Sequence, residues 1–210
     1  MNKLAGWVAL GAALVANPSQ AFMATTWNAA SSGAYREDGY HLGYSQNYGV
    51  SDTFRNFFVF VLYPFSGEAV SVTLTLNTGI NCTAGTYTLY GGVTTPPYTL
   101  NAGHAVGDEA GQAIYQDLGD GDVLGSWIIP STDNVEITLE LNSLGVATIN
   151  EAAGGVLVLG GVMSGGRAFA LSDENDIRQL TVYTIPESGT CSLLLLGASG
   201  LACILRRPRR

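Results

Sequence analysis

Three groups of residues in this 210-residue chain have types and spacings that could do chemistry. The acidic run Asp117-Leu118-Gly119-Asp120-Gly121-Asp122 presents Asp117, Asp120 and Asp122 as oxygen ligands, and calcium takes several such ligands from a flexible acidic loop. The spacing does not match an EF-hand loop. Asp and Gly also supply the backbone geometry of a solvated hairpin turn, which is the favoured reading. Asp173-Glu174-Asn175-Asp176 has the same two readings, again with the turn favoured. The second group is His41 and His104, the only histidines, which stand in no triad or metal-ligand spacing. Both are read as loop histidines, and a Ser-His-Asp set is poorly supported. Two carboxylates about 5 to 9 Å apart could cleave a glycoside, but no acid motif marks such a pair and spacing along the chain does not reveal one. The third group is aromatic: Trp27, Tyr35, Tyr40, Tyr44 and Tyr48, with Tyr87, Tyr90 and Tyr98. Their faces could stack on sugar rings, or they could simply close the core; only an exposed, contiguous row marks a binding surface. No cofactor is implied by any of these sets, and a protein without catalytic activity is expected.

The elements that must position these residues are short. Phe57 to Leu62 is an unbroken apolar run rich in β-formers, so it is expected as a strand covered on both faces. Val70 to Asn77 alternates strictly, which predicts Val70, Val72, Leu74 and Leu76 inside and Ser71, Thr73, Thr75 and Asn77 outside. Val135 to Asn142 repeats the pattern with Val135, Ile137, Leu139 and Leu141 inside. Weaker strand signals lie at Thr86–Tyr90, Ala113–Asp117, Gly125–Ile129, Val156–Leu159 and Gln179–Thr184, separated by turn residues. One helix is expected from Leu144 to Ala153, capped by Ser143, ended by Gly154 and Gly155, and plugging one end of the fold. From Phe22 to Asp52 glycine and tyrosine interleave without a period, which reads as loops and short strands with aromatics over the core. Together these signals predict an all-β domain, an antiparallel β-sandwich of jelly-roll or Greek-key kind with one short helix.

Both ends differ from this body. Residues 1–21 carry Lys3, an apolar stretch from Leu4 to Ala16, then Asn17-Pro18 and the small Ser19 and Ala21. That is the layout of a secretion signal helix cleaved after Ala21. At the other end, residues 185–189 read Ile-Pro-Glu-Ser-Gly and precede an apolar helix at 189–205 and the cluster Arg206, Arg207, Arg209 and Arg210 at 206–210. Cys191 to Leu205 gives fifteen residues, or roughly 22 Å of helix, against a hydrocarbon core of about 30 Å. The arginines would be held on the cytoplasmic side, which leaves the preceding domain outside.

Residues 22–184 form the intervening domain, large enough to bury a substantial core. It retains four basic residues, Arg36, Arg55, Arg167 and Arg178, against sixteen acids and no lysine, a formal charge of −12. Such a surface repels nucleic acid and anionic membrane, and it would meet an anionic polysaccharide only through neutral contacts or bridging divalent cations. Cys82 is its only cysteine, so no intradomain disulfide can form.

The C-terminal grammar resembles a PEP-CTERM sorting signal: Pro186-Glu187, a short apolar helix and an Arg cluster. Ser188 stands where that family usually has proline. The resemblance implies that exosortase, a membrane-embedded cysteine transpeptidase, cuts at the motif after signal peptidase has removed the leader. The tail is then an address label and not part of the fold. Several stretches also resemble an uncharacterised group of PEP-CTERM ectodomains: Tyr35 to Tyr48 with Gly39, His41 and Asn47, then Arg55-Asn56-Phe57-Phe58-Val59-Phe60, Asp117-Leu118-Gly119 with Gly125, Leu141-Asn142, Gly154-Gly155 and Gly160-Gly161. Members of that group usually carry an aspartate just after the apolar strand, where this chain has Val61 and Leu62. By this resemblance the chain is expected to be a structural protein, exported to the cell surface or extracellular matrix from an inner-membrane-anchored precursor. Extracellular polysaccharide is a candidate partner, and a carbohydrate-binding or adhesive module is the alternative.

Overall fold

The computed structural model describes residues 22–169 and 177–185. The elements run β1 (Met23–Asn28), β2 (Ser31–Arg36), β3 (Val50–Ser51), β4 (Phe54–Val61), β5 (Glu68–Asn77), β6 (Gly85–Gly91), α1 (Pro97–Leu100), α2 (Glu109–Asp117), β7 (Asp122–Ile129), β8 (Glu136–Glu140), α3 (Ser143–Glu151), β9 (Val156–Ser164), β10 (Arg167–Ala168) and β11 (Arg178–Ile185). The strands form two antiparallel sheets, a four-stranded one in the order β1-β11-β5-β8 and a seven-stranded one in the order β10-β3-β4-β9-β6-β7, with β2 also paired to β4. The all-β expectation therefore holds.

The apolar run in β4 determines the layering. Phe58, Phe60 and Leu62 point into the main core between the two sheets, where Val72, Leu74, Leu76, Leu180 and Val182 meet them. Phe57 and Val59 point the other way, into a second core closed by Leu100 of α1, Ile114 and Tyr115 of α2, and Leu118. Helices thus cover one region of the large sheet's outer face, which is why this strand lacks a polar side over most of its length. Gly160 and Gly161 of β9 permit the close approaches beneath: a Cβ at the first would strike the Leu118 carbonyl, and one at the second the Tyr87 hydroxyl and Asn56 amide. Cys82 is buried with a free thiol, so the core stands without a disulfide.

Several sequence expectations need correction. Ala113–Asp117 is helical, part of α2, and it is not a strand. Asp108 caps this helix by accepting from the Ala110 and Gly111 amides, Glu109 favours the first turn, and the buried Ile114, Tyr115 and Leu118 share one face. With α1 there are three helices among the described residues where one was expected. Consequently Asp117–Asp122 connects a helix to a strand and is no hairpin turn.

The third correction concerns Val70. The pairing of β11 with β5 shifts between Tyr183 and Thr184, which oppose Ser71 and Ala69, so Val70 is the extra residue of a bulge. Val70 is 41% exposed, and Ala69 takes the inward position instead. Beyond the bulge Val72, Leu74 and Leu76 are fully buried as expected, but Thr75, expected outside, is also buried, its hydroxyl 3.3 Å from that of Thr138; in β8 Leu139 is buried between the exposed Glu136, Thr138 and Glu140. Finally, the cap of α3 is Asn142, whose side chain accepts from the Gly145 amide at 2.9 Å, and not Ser143. Gly154 takes the expected left-handed conformation after this helix, at φ 77°. Asn150 near its end binds both the amide and the carbonyl of Ala69, at 2.9 and 3.1 Å.

Candidate binding cleft

The loop between β2 and β3 is pinned at successive points. The Tyr40 carbonyl accepts from the Arg36 amide, and Arg36 pairs with Asp38 across the turn. Next, His41 and His104 exchange both backbone hydrogen bonds, at 3.1 and 2.9 Å. The Tyr44 amide then donates to the Asn101 carbonyl, and Asn47 closes an Asx turn by accepting from the Gly49 amide at 2.9 Å.

Between this loop and strands β3, β4 and β10 lies a cleft of about 420 Å3. Ala34, Leu42, Val50 and Phe54 give it apolar wall; Tyr40, His41, Ser45, Asn47, Ser51 and Arg167 supply polar groups. His41 is 2% exposed. Its ring stacks on Tyr35 with centroids 4.4 Å apart, and its Nδ1 lies 2.9 Å from the Ala34 carbonyl, an acceptor, so Nδ1 carries the proton. Its Nε2 is buried without a partner, as is that of His104. Burial lowers the His41 pKa below the usual histidine value, the nearby His104 lowers it further, and the Ala34 hydrogen bond opposes both. The two loop histidines are thus brought together, His41 buried and His104 half-buried.

The domain's arginines divide unequally. Arg36 pairs with Asp38. Arg55 donates to the carbonyls of Tyr115 and Gln116 and lies over the Tyr115 ring at 4.2 Å. Arg178 donates to Ser32 Oγ and Gln46 Oε1, each at 2.7 Å, and lies over Tyr48. Arg167 alone has an exposed side chain with no hydrogen bond, ion pair or ring contact among the described residues. Nothing in its sequence neighbourhood distinguishes it, and only its place on β10 beside Ser51 marks it.

The candidate calcium ligands Asp117, Asp120 and Asp122 each make separate contacts. Asp117 turns its carboxylate to the amides and hydroxyls of Thr94 and Thr95. Burial opposes its charge, but the hydrogen bonds from Thr95 and Thr94 prevail and hold its carboxyl below the usual range. Asp120 accepts from the Gly121 amide, and Asp122 is exposed at the start of β7. Among the described residues no three His, Cys, Asp or Glu side chains gather where they could hold a metal ion. Residues 173–176 and the residues expected to form a sorting signal, Pro186, Glu187, Ser188, Arg206, Arg207, Arg209 and Arg210, lie outside the described residues.

The aromatic platform is divided as well. Trp27, Tyr35, Tyr48 and Tyr87 are buried, while Tyr44 and Tyr98 are more than 80% exposed. A second depression, of about 730 Å3, runs between β1 and residues 63–66 past Trp27, Tyr63 and Phe65, and carries no Asp, Glu, Arg or His. No family model matches the chain, and no curated protein matches it.

Proposed function

We propose that the chain is an exported structural protein of the cell surface or extracellular matrix, without catalytic activity, whose inner-membrane-anchored precursor is processed by exosortase. The observation that carries this reading is the ordered C-terminal series: Pro186-Glu187, the apolar run to Leu205, and the arginines from Arg206. A leader at residues 1–21 supports the same orientation. Met23 pairs with Thr184, so the two points at which leader and tail join the domain lie side by side on adjacent strands. A domain tethered through both would present one end to the bilayer. In this reading residues 1–21 form the signal helix and residues 189–205 the transmembrane helix, and the sandwich is Greek-key-like, since β1 pairs with β11 and β5 lies between β11 and β8. Mass spectrometry of the mature C-terminus in the native host, for the wild type and for a Pro186→Ala, Glu187→Ala variant, tests it. Cleavage near the motif in the wild type and a retained tail in the variant are expected; an unchanged cleavage in the variant removes the motif from the mechanism.

The second reading, a carbohydrate-binding module, is supported by the cleft beside His41. Its size falls within the range of about 300 to 1,000 Å3 usual for small-molecule sites. Apolar wall alternating with hydroxyl and amide groups suits a sugar ring, which presents C–H faces and hydroxyls together. A glycan array separates the two readings, and uniform failure to bind removes the second.

A further inference from the structure

Among the described residues, the strongest unused group is Arg167. A guanidinium carries five donors in a planar fork suited to a carboxylate, and the other three arginines of the domain spend theirs on Asp38, on backbone carbonyls, or on Ser32 and Gln46. The backbone of Arg167 is fixed on both sides, paired with Ser51 across β10–β3 and bridged to Thr83, so the head is presented from rigid sheet and not from a loose loop. It stands on the lining of the one described cleft that combines a cation with apolar wall, facing a loop that contributes Tyr40, Ser45 and Asn47. Asp52, the acid nearest in sequence to this wall, is already engaged by the Gly165 amide at 2.8 Å and forms no ion pair with the arginine.

We infer that the cleft between the 40–49 loop and β10 binds a sugar residue bearing a carboxylate, a uronic acid unit, with Arg167 as the anion-recognising group. This rests on the carbohydrate reading of the cleft and adds to it the charge of the ligand. The acid goes to Arg167, the hydroxyls to Asn47, Ser45 and Ser51, and the C–H face of the ring to Tyr40 and Phe54. The domain's net charge of −12 opposes an anionic polymer as a whole. At physiological ionic strength that field is screened beyond about 8 Å, so a single uronate seated against the guanidinium is governed by its local partners. A terminal or isolated uronate is therefore favoured over a densely charged chain.

The experiment is calorimetric titration of the full-length protein, purified in detergent micelles, with methyl glucuronide and methyl glucoside, which differ at C6. The expected result is preference for the acid, lost in Arg167→Gln by roughly tenfold or more, as removal of a charged hydrogen-bonding partner predicts. Arg167→Lys should keep part of the preference, since it retains charge without the fork. Thermal unfolding of Arg167→Gln should match the wild type, because the side chain has no partner to lose. Equal binding of acid and neutral sugar, or an acid preference that survives Arg167→Gln, overturns the inference and leaves the carbohydrate reading standing. Binding of acetate or sulfate as tightly as the uronide also overturns it, since no sugar is then being recognised. If neither glycoside binds, the inference falls, and the glycan array decides whether the carbohydrate reading falls with it.

Discussion

His41 and His104 face each other across an antiparallel bridge, and both rings rest against one phenol, that of Tyr35, at centroid distances of 4.4 and 5.7 Å. Phe57 adds an edge to the His41 ring from β4. The ionisable neighbours are Tyr35 from β2 and Asp108 from the cap of α2, whose carboxylate lies 3.2 Å from His104 Nδ1. Burial holds the Tyr35 hydroxyl well above its usual value, so it stays neutral here. Neither Nε2 has a partner, so a proton added at His41 would sit as a buried charge without an acceptor.

Acid should therefore loosen this protein through His41. Its folded pKa is lowered, while in the unfolded chain it returns to about 6.5, so below that pH the unfolded state binds the extra proton. Stability is full above about pH 6.5 and falls as the pH drops toward the folded value. Melting temperature measured from pH 8 down to pH 5 should decline in the wild type, by about 2 to 4 °C for each kcal/mol lost. The decline should be shallower in His41→Phe; identical slopes for both proteins would show that the imidazole is not responsible.

Asn56 should be costly to replace. It is fully buried in β4, donates to the Tyr48 carbonyl at 2.9 Å and accepts from the Tyr87 hydroxyl at 3.1 Å. Asn56→Leu removes its hydrogen bond from each of these two groups, and at about 1 to 3 kcal/mol for each the loss should reach about 2 to 6 kcal/mol. Urea unfolding measures it, and a loss below about 1 kcal/mol would mean that the network relaxes around the leucine.

Asp117 should behave as a structural acceptor. Asp117→Ala removes the bonds that order Thr94 and Thr95 and should destabilise by about 1 to 3 kcal/mol. The loss should be the same in calcium and in chelator. A calcium-dependent difference in melting temperature between wild type and variant would restore the ligand role considered for Asp117, Asp120 and Asp122.

The β5 bulge makes a contrast of two valines. Val70→Thr, at an exposed bulge position, should change stability by no more than about 0.5 kcal/mol. Val72→Thr places a hydroxyl in the core, where it should cost about 1 to 3 kcal/mol. Equal costs measured by chemical denaturation would contradict the bulge.

Much of the sheet architecture was legible from period alone. Val72, Leu74, Leu76 and Leu139 alternate with polar neighbours because a strand turns successive side chains to opposite faces, and the run expected to be covered on both faces from Phe57 to Leu62 is so covered as far as Phe60, whereas Val61 is 43% exposed. The one phase error, at Val70, arose because a bulge is a property of two paired strands and is invisible in one. Reading 113–117 as a strand failed for a related reason: Ala, Ile and Tyr suit a strand as well as a helix, and the cap at Asp108 that decides between them lies upstream.

By itself, the amino-acid sequence determined the all-β class, the acidic charge of the body and the grammar of the two ends, since each of these is set by composition or by neighbours along the chain. The tertiary structure alone decided that two distant histidines meet against one phenol, that among the described residues three of the domain's arginines find partners for their side chains while Arg167 finds none, and that a cleft opens between the 40–49 loop and β10. Those outcomes depend on pairings such as Ser51 with Arg167, residues more than a hundred positions apart, whose meeting no local pattern records.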